Sequence, residues 1–249
     1  MPDPDFQRSR LILPTYQWWR QNVANAGFFS TLLRFLRALV EFLCDSTPSR
    51  RRQRYGDVDF DWNHRVNTTE ATVGWRERLL GTLHSPYQPT ESTLFHEMLD
   101  GLKIDFREFT FLDLGSGKGR TLLMASDYPF RRIIGIELFP ALHAIAENNI
   151  AGYKRDSQLC FDLKSICGDA RDFQFPSEPT LLYLFNPLPA SGLQVVLENL
   201  EQSLQRSPRN VYVIYHNPEH EHLLVKSTYL QKVGGTHQYS VYLANALSS

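Results

Sequence analysis

Apolar and polar positions follow two different rhythms along this chain. From about residue 109 onward, short apolar runs alternate with stretches whose apolar residues recur at helical spacing. The runs predict strands near 109–114, 131–137, 163–167, 180–186, 209–216, 227–233 and 238–244. The stretches between them predict helices near 118–127, 140–151 and 191–206. Ahead of the first strand, Leu94, Phe95, Met98 and Leu102 share one face of a helix over 93–102. Leu181 to Phe185 is apolar almost throughout, as a strand buried on both faces should be. Strand alternating with helix predicts an α/β fold with a parallel sheet. Gly234-Gly235 separates the last two runs, which read as an antiparallel hairpin.

The first ninety residues lack this alternation. Phe28 to Cys44 has polar residues at Ser30, Arg34, Arg37 and Glu41, one face of a helix that is otherwise apolar. It is too short and too charged to span a bilayer. Its plain reading is a packed helix; its sharper reading is a helix lying in a membrane surface, helped by Trp18, Trp19 and the basic run Arg50, Arg51, Arg52, Arg54. Asp57 to Tyr87 reads as a lead-in that folds over the mouth of the site. The domain division that follows is 1–89 as an N-terminal helical extension and lead-in, and 90–249 as the α/β domain.

Candidate chemistry starts where the first strand ends. Residues 111–120 read FLDLGSGKGR, so Gly115, Gly117 and Gly119 form a turn between a strand and a helix. Such a turn lets a nucleotide-like ligand approach the backbone at the carboxyl edge of a sheet, and the following helix offers N–H groups to an anion. A phosphate-binding P-loop would need glycine at 112, where Leu112 stands, and a dinucleotide fingerprint would need glycine at 120, where Arg120 stands. Asp113 would repel a diphosphate but attracts a cationic ligand such as S-adenosylmethionine (SAM), with its sulfonium and ammonium. Glu137 ends the second strand, about 20 residues on, where an acid can bind ribose hydroxyls. Leu138 and Phe139 beside it offer an apolar wall for adenine. Asp169, after the third strand, can accept from the adenine amino group, and the Ala170 N–H can reach a ring nitrogen.

These stretches together resemble the class I SAM-dependent methyltransferases. The likeness rests on LDLGSGKGR, Ile-Gly-Ile-Glu, Gly-Asp-Ala and an Asn-Pro motif, and it spans roughly 90–249, about two thirds of the chain. It implies a Rossmann-like seven-stranded sheet with a C-terminal antiparallel hairpin. It also implies SAM as methyl donor, held by Asp113, Gly115, Ser116, Gly117, Glu137, Leu138, Asp169 and Ala170. Asn186-Pro187 is similar to the Asn/Asp-Pro-Pro-aromatic signature of amino-methylating members, with Asn186 aiming the acceptor nitrogen. Leu188 and Pro189 depart from that signature and remove the aromatic that stacks on a planar amine, which weighs against adenine, cytosine or glutamine. The Asp-Leu-Gly-Ser-Gly and Gly-Ile-Glu runs also look like those of seven-stranded lysine methyltransferases. His216, at the end of the fifth strand beside a second Asn-Pro, is a candidate general base. With His220, His222, Glu219 and Glu221 it could suggest a metal, but the spacing spreads them over a turn and a helix start.

Composition changes this picture little. The chain has 249 residues, 42% hydrophobic and 21% charged, and a formal net charge of −1, which argues against nucleic acid as a partner. Three cysteines without a C-x-x-C pair fit a reducing cytoplasm. The expected activity is transfer of a methyl group to nitrogen on a protein lysine or small molecule, in the cytoplasm, with membrane-surface contact through 28–44 as a variant and no metal. A non-catalytic SAM-fold binding protein and an NAD-dependent dehydrogenase are the competing classes.

Overall fold

The computed structural model describes residues 58–69 and 89–244. The helix expected over 28–44, the tryptophans at 18 and 19, the basic run at 50–54 and Tyr87 lie outside the described residues. All of the described residues fall in one compact unit. They form α1 (Val58–His64), α2 (Ser92–Asp100), β1 (Thr110–Leu114), α3 (Arg120–Ala125), β2 (Arg132–Glu137), α4 (Pro140–Gly152) and β3 (Leu163–Cys167). There follow β4 (Thr180–Phe185), α5 (Ala190–Arg206), β5 (Val211–His216), α6 (Glu221–Lys226), β6 (Gln231–Gly235) and β7 (Tyr239–Ala244). Single 3₁₀ turns stand at Phe106–Glu108 and Ala170–Asp172.

The strands make one seven-stranded sheet in the order β3-β2-β1-β4-β5-β7-β6. The first five are parallel, and β7 enters antiparallel between β5 and β6. This is a seven-stranded sheet with a C-terminal antiparallel hairpin, as the sequence resemblance implied. The order reverses between β1 and β4, so the ends of β1, β2 and β4 meet at the switch point where such sheets bind ligands.

Side-chain alternation sorts the two faces of the sheet. Leu112, Leu114, Leu182, Leu184, Val213 and Tyr215 point to one face, under α5, whose Leu193, Val196, Leu197, Leu200 and Leu204 cover them. Phe111, Ile133, Leu181, Tyr183 and Ile214 point to the other, against Phe95, Met98 and Leu99 of α2 and Leu122 and Met124 of α3. By register, Asp113, Gly135, Glu137, Tyr183, Phe185 and His216 share this second face. The functional row therefore sits on a single face, at the carboxyl edge.

Two boundaries differ from the sequence reading. The helix expected from 118 begins at Arg120, because Gly119 is left-handed and serves as its N-cap. The strand expected over 227–233 spans Gln231–Gly235, so the glycine pair lies inside it rather than dividing it from β7. A bulge between Lys232 and Gly234 keeps the pairing, and the turn closes beyond it with Thr236 N–H donating to the Tyr239 carbonyl at 2.8 Å.

Gly135, in the middle of β2, is there for space. A Cβ at this position would lie 2.5 Å from Ser116 Oγ and 2.7 Å from Leu122 Cδ1. The glycine lets the turn after β1 pack directly on β2. Gly135→Ala should therefore destabilise the protein by about 1–3 kcal/mol through overpacking, read as a lower urea midpoint at unchanged slope.

Candidate functional site

The turn between β1 and α3 is shaped almost entirely by β2. The N–H groups of Gly115 and Ser116 both donate to the Ile136 carbonyl, at 2.8 and 3.0 Å. Gly117 N–H donates to Glu137 Oε2 at 2.8 Å, and Gly119 N–H donates to the Ser116 carbonyl at 2.8 Å. These four amides, which all precede the helix that starts at Arg120, are spent inside the protein. Gly115 itself is exposed at φ +90, and a Cβ on it would sit 2.6 Å from Pro187 Cβ. Only glycine allows both that backbone conformation and that contact. The Asn-Pro after β4 thus lies against the first glycine of the turn.

Two buried acids stand at neighbouring strand tips. Glu137 is 5% exposed; Oε2 takes the Gly117 N–H and Oε1 takes the Phe139 N–H at 2.8 Å. Burial pushes its pKa up to about 7, against the pull of the Phe139, Gly117 and Leu138 backbone donors. Asp113 is 3% exposed and accepts a short hydrogen bond from the Thr121 hydroxyl. Burial pushes it too up to about 7; the Thr121 bond opposes the rise and the charge of Glu137 adds to it. Neither acid has a cation as its hydrogen-bond partner in these contacts. Such a pair disfavours anions and accepts a cation readily.

The remaining predicted residues fall around this centre. Leu138 and Phe139 are half-buried directly after Glu137, where an adenine wall was expected. The Ser116 hydroxyl is buried without a hydrogen-bond partner, turned toward Gly135 and Leu122 rather than outward. Asp169 caps the 3₁₀ turn and is engaged by its neighbour: Arg171 N–H donates at 2.9 Å, and Arg171 Nε reaches both carboxylate oxygens at 3.0 Å. Ala170 is buried beside it.

Asn186 is buried with φ +43, and Asn217, at the end of the next strand, has φ +48. Asparagine tolerates the left-handed region better than other side chains, and proline next in line bars the residue before it from the right-handed helix. The Asn186 amide donates to the Asn217 carbonyl at 2.6 Å, tying the two Asn-Pro turns together, while Oδ1 holds only a long 3.4 Å contact from Glu219 N–H. His216 is 8% exposed, and burial lowers its pKa to about 4. The lowered pKa makes it a weaker base than a free imidazole, and Nδ1 lies 2.7 Å from the Tyr183 hydroxyl. Of the group whose spacing weighed against a metal, Glu221 Oε1 is held by Lys232 at 2.7 Å and by Ser240 and Tyr242.

Sequence reasoning missed the clamp on the far side of the turn. Lys118 is fully buried and Arg120 is 2% exposed. Lys118 Nζ donates to Asn67 Oδ1 at 2.8 Å, and the Arg120 guanidinium lies 4.2 Å from the Phe60 ring centroid. Asn149 of α4 joins the parts: it exchanges two hydrogen bonds with the Asn67 backbone at 2.9 and 3.0 Å and donates to the Lys118 carbonyl at 2.9 Å. Asp61 closes the 58–69 segment on itself by accepting from the Thr68 and Thr69 N–H groups at 2.8 and 2.6 Å. Of the lead-in expected over the mouth of the site, the described residues 58–69 pack against Lys118, Arg120 and Asn149 on the α3–α4 side of the turn.

No protein-family model matches the chain, and no curated protein matches it in sequence. Several solved structures are similar in backbone. An RNA methyltransferase from Salinibacter ruber in complex with S-adenosyl-L-homocysteine has a TM-score of 0.44 and 21% identity, over 64% of this chain and 93% of that one. The rRNA methyltransferase aviRa from Streptomyces viridochromogenes has a TM-score of 0.45 and 16% identity, over 66% and 89%. A ribosomal protein L11 methylase from Lactobacillus delbrueckii subsp. bulgaricus has 0.42 and 14%, over 62% and 76%. At these values the likeness is a distant one of fold.

The acid pair predicts an unusual pH dependence of stability. Both carboxyls titrate near 7 in the folded protein and near 4 in the unfolded chain, so folding favours the protonated forms. The resulting stability is full below about pH 4 and is lost as pH rises to about 7. Urea unfolding of the unliganded protein should show stability falling by a few kcal/mol from about pH 5 to 8, and Asp113→Asn should flatten that slope.

Proposed function

We propose that the chain is a SAM-dependent methyltransferase that delivers the methyl group to a nitrogen. One observation carries this reading: the glycine turn at the sheet's switch point has four amides spent inward and, beside it, two buried acids whose ionisation burial opposes. An NAD-type pyrophosphate needs the reverse arrangement. A sulfonium-bearing adenosine suits this one, because a cation close to Asp113 and Glu137 restores the charge that burial disfavours.

In this reading Gly115 and Gly117 pass under the ligand, and Glu137 keeps its backbone donors while its remaining lone pairs accept from the ribose hydroxyls. Leu138 and Phe139 flank the adenine, while Asp169 and Ala170 take its polar edge once Arg171 yields. SAM supplies an activated methyl group. The protein's part is to hold the acceptor nitrogen in line with it, and alignment accounts for much of the rate in such a displacement. Asn186 is placed for this: Pro187 rests on Gly115, and Oδ1 is only weakly engaged. Support for nitrogen as the accepting atom is the Asn-Pro motif and this free lone-pair direction.

The acceptor class is open to protein, small molecule and nucleic acid alike. The net charge of −1 was read against nucleic acid, but an RNA methyltransferase and an rRNA methyltransferase are among the proteins of similar fold, so that exclusion finds no support. The reading also keeps 1–89 as an extension to a catalytic domain over 90–249, with 58–69 serving as the turn's outer brace.

Calorimetric titration with S-adenosylhomocysteine tests the cofactor assignment. Wild-type protein should bind it, and Glu137→Ala should weaken binding by about 10–100-fold, as expected for lost hydrogen bonds to a charged group. Unchanged affinity would remove Glu137 from the site. Incubation with radiolabelled SAM and cell extract, followed by protease, nuclease and solvent treatment, would then show which fraction carries the label.

A further inference from the structure

A buried hydrogen-bonded chain runs beside the proposed acceptor position. Thr90 Oγ1 lies 3.0 Å from Tyr183 Oη, and Tyr183 Oη lies 2.7 Å from His216 Nδ1. All three residues are buried: Thr90 at 3%, Tyr183 at 1% and His216 at 8% exposure. The imidazole also lies flat on Phe185, with centroids 4.0 Å apart and planes 21° apart, and the two residues are register partners on β4 and β5. Ring plane and ring orientation are therefore both set. Phe185 is the residue immediately before Asn186, so the ring stands next to the motif that faces the turn.

Tyr183 has one proton to give and two neighbours to satisfy. A phenol is a stronger donor than an aliphatic hydroxyl, and an imidazole nitrogen is a stronger acceptor than a hydroxyl oxygen. The better pairing sends the Tyr183 proton to His216 Nδ1 and the Thr90 proton to Tyr183 Oη. Burial acts in the same direction: it holds the phenol well above its ordinary pKa, so the proton stays on oxygen, and it keeps the imidazole neutral. Asp113, the register partner of Tyr183 on β1, adds its charge to the same effect.

We infer that Tyr183 fixes His216 as the Nε2–H tautomer, making it an N–H donor to an oxygen of the methyl acceptor and not a base that takes its proton. The tautomer follows from the contacts alone; its use on an acceptor rests on the methyltransferase reading. Tyr183 is the positioning residue, acting through His216, and Thr90 is the phenol oxygen's own partner. The acceptor this implies carries a carbonyl, hydroxyl or phosphate oxygen near the nitrogen that is methylated. Tyr183 is also the one hydroxyl in the otherwise apolar run from Leu181 to Phe185, and this role gives it a reason to be there.

Nitrogen-15 NMR of histidine-labelled protein reads the tautomer directly. The chain has eight histidines, so the His216 signals are assigned by their loss in His216→Asn. Wild type should show neutral His216 protonated at Nε2 across about pH 6 to 8. Tyr183→Phe should move it to a mixture of tautomers, and Thr90→Val should leave Nε2–H in place. An Nδ1–H signal, an imidazolium in that range, or no change in Tyr183→Phe would overturn the assignment; should Tyr183→Phe not fold, the wild-type and Thr90→Val spectra decide. For the donor role, His216→Gln keeps an N–H near the Nε2 position and should retain the label transfer that His216→Phe loses by about tenfold or more. Equal loss in both overturns the donor. Failure of wild type to bind S-adenosylhomocysteine overturns the use on an acceptor while the tautomer result stands.

Discussion

The bond from the Gly117 N–H to the Glu137 carboxylate holds the site in its shape. A glycine turn has no side chains with which to define itself, so its conformation must come from neighbours. Here the end of β2 supplies them: the Ile136 carbonyl takes two turn amides and Glu137 takes a third. Gly135 clears the space that lets the turn come this close. Once the turn is in place, Gly115 meets Pro187, and the strand tips that carry Asp113, Glu137 and Asn186 open on one edge.

The same bond sets the site's electrostatics. It draws a carboxylate into a place where burial opposes its charge, beside a second carboxylate under the same constraint. Turn amides that would favour an anion are consumed in making the shape. Two buried acids favour a cation over an anion as neighbour, and burial holds protons on them in its absence. Lys118 and Arg120 sit within the same ten-residue stretch, yet the 58–69 segment and Asn149 engage them on the opposite side. The turn therefore separates its cations from its acids.

Much of this was legible in the residues. Five apolar runs with helices between them foretold the parallel strands, and the last two runs the hairpin, because burial on both faces leaves a plain mark in sequence. Asp113, Glu137 and Asn186 were found by their places at strand ends. What escaped notice depended on contacts distant in sequence. Arg120 read only as a missing glycine, although it is buried against residues some 50 positions earlier. Tyr183 passed as one more apolar letter in β4, since nothing local reveals that its hydroxyl meets Thr90 and His216. His216 was taken for a base because its reference pKa lies near neutrality; burial, which the sequence does not display, lowers it. The inward use of the turn amides was likewise not legible, because the Ile136 carbonyl and Glu137 that take them lie about 20 residues on.

The central claim is that two protonated, buried acids receive a cationic cofactor, and proton linkage tests it most directly. SAM binding would be measured by calorimetry at about pH 7 in buffers of different ionisation enthalpy, and again at about pH 6 and 8. The account predicts net proton release on binding and tighter binding at the higher pH. Binding without proton exchange, or tighter binding at the lower pH, would contradict it.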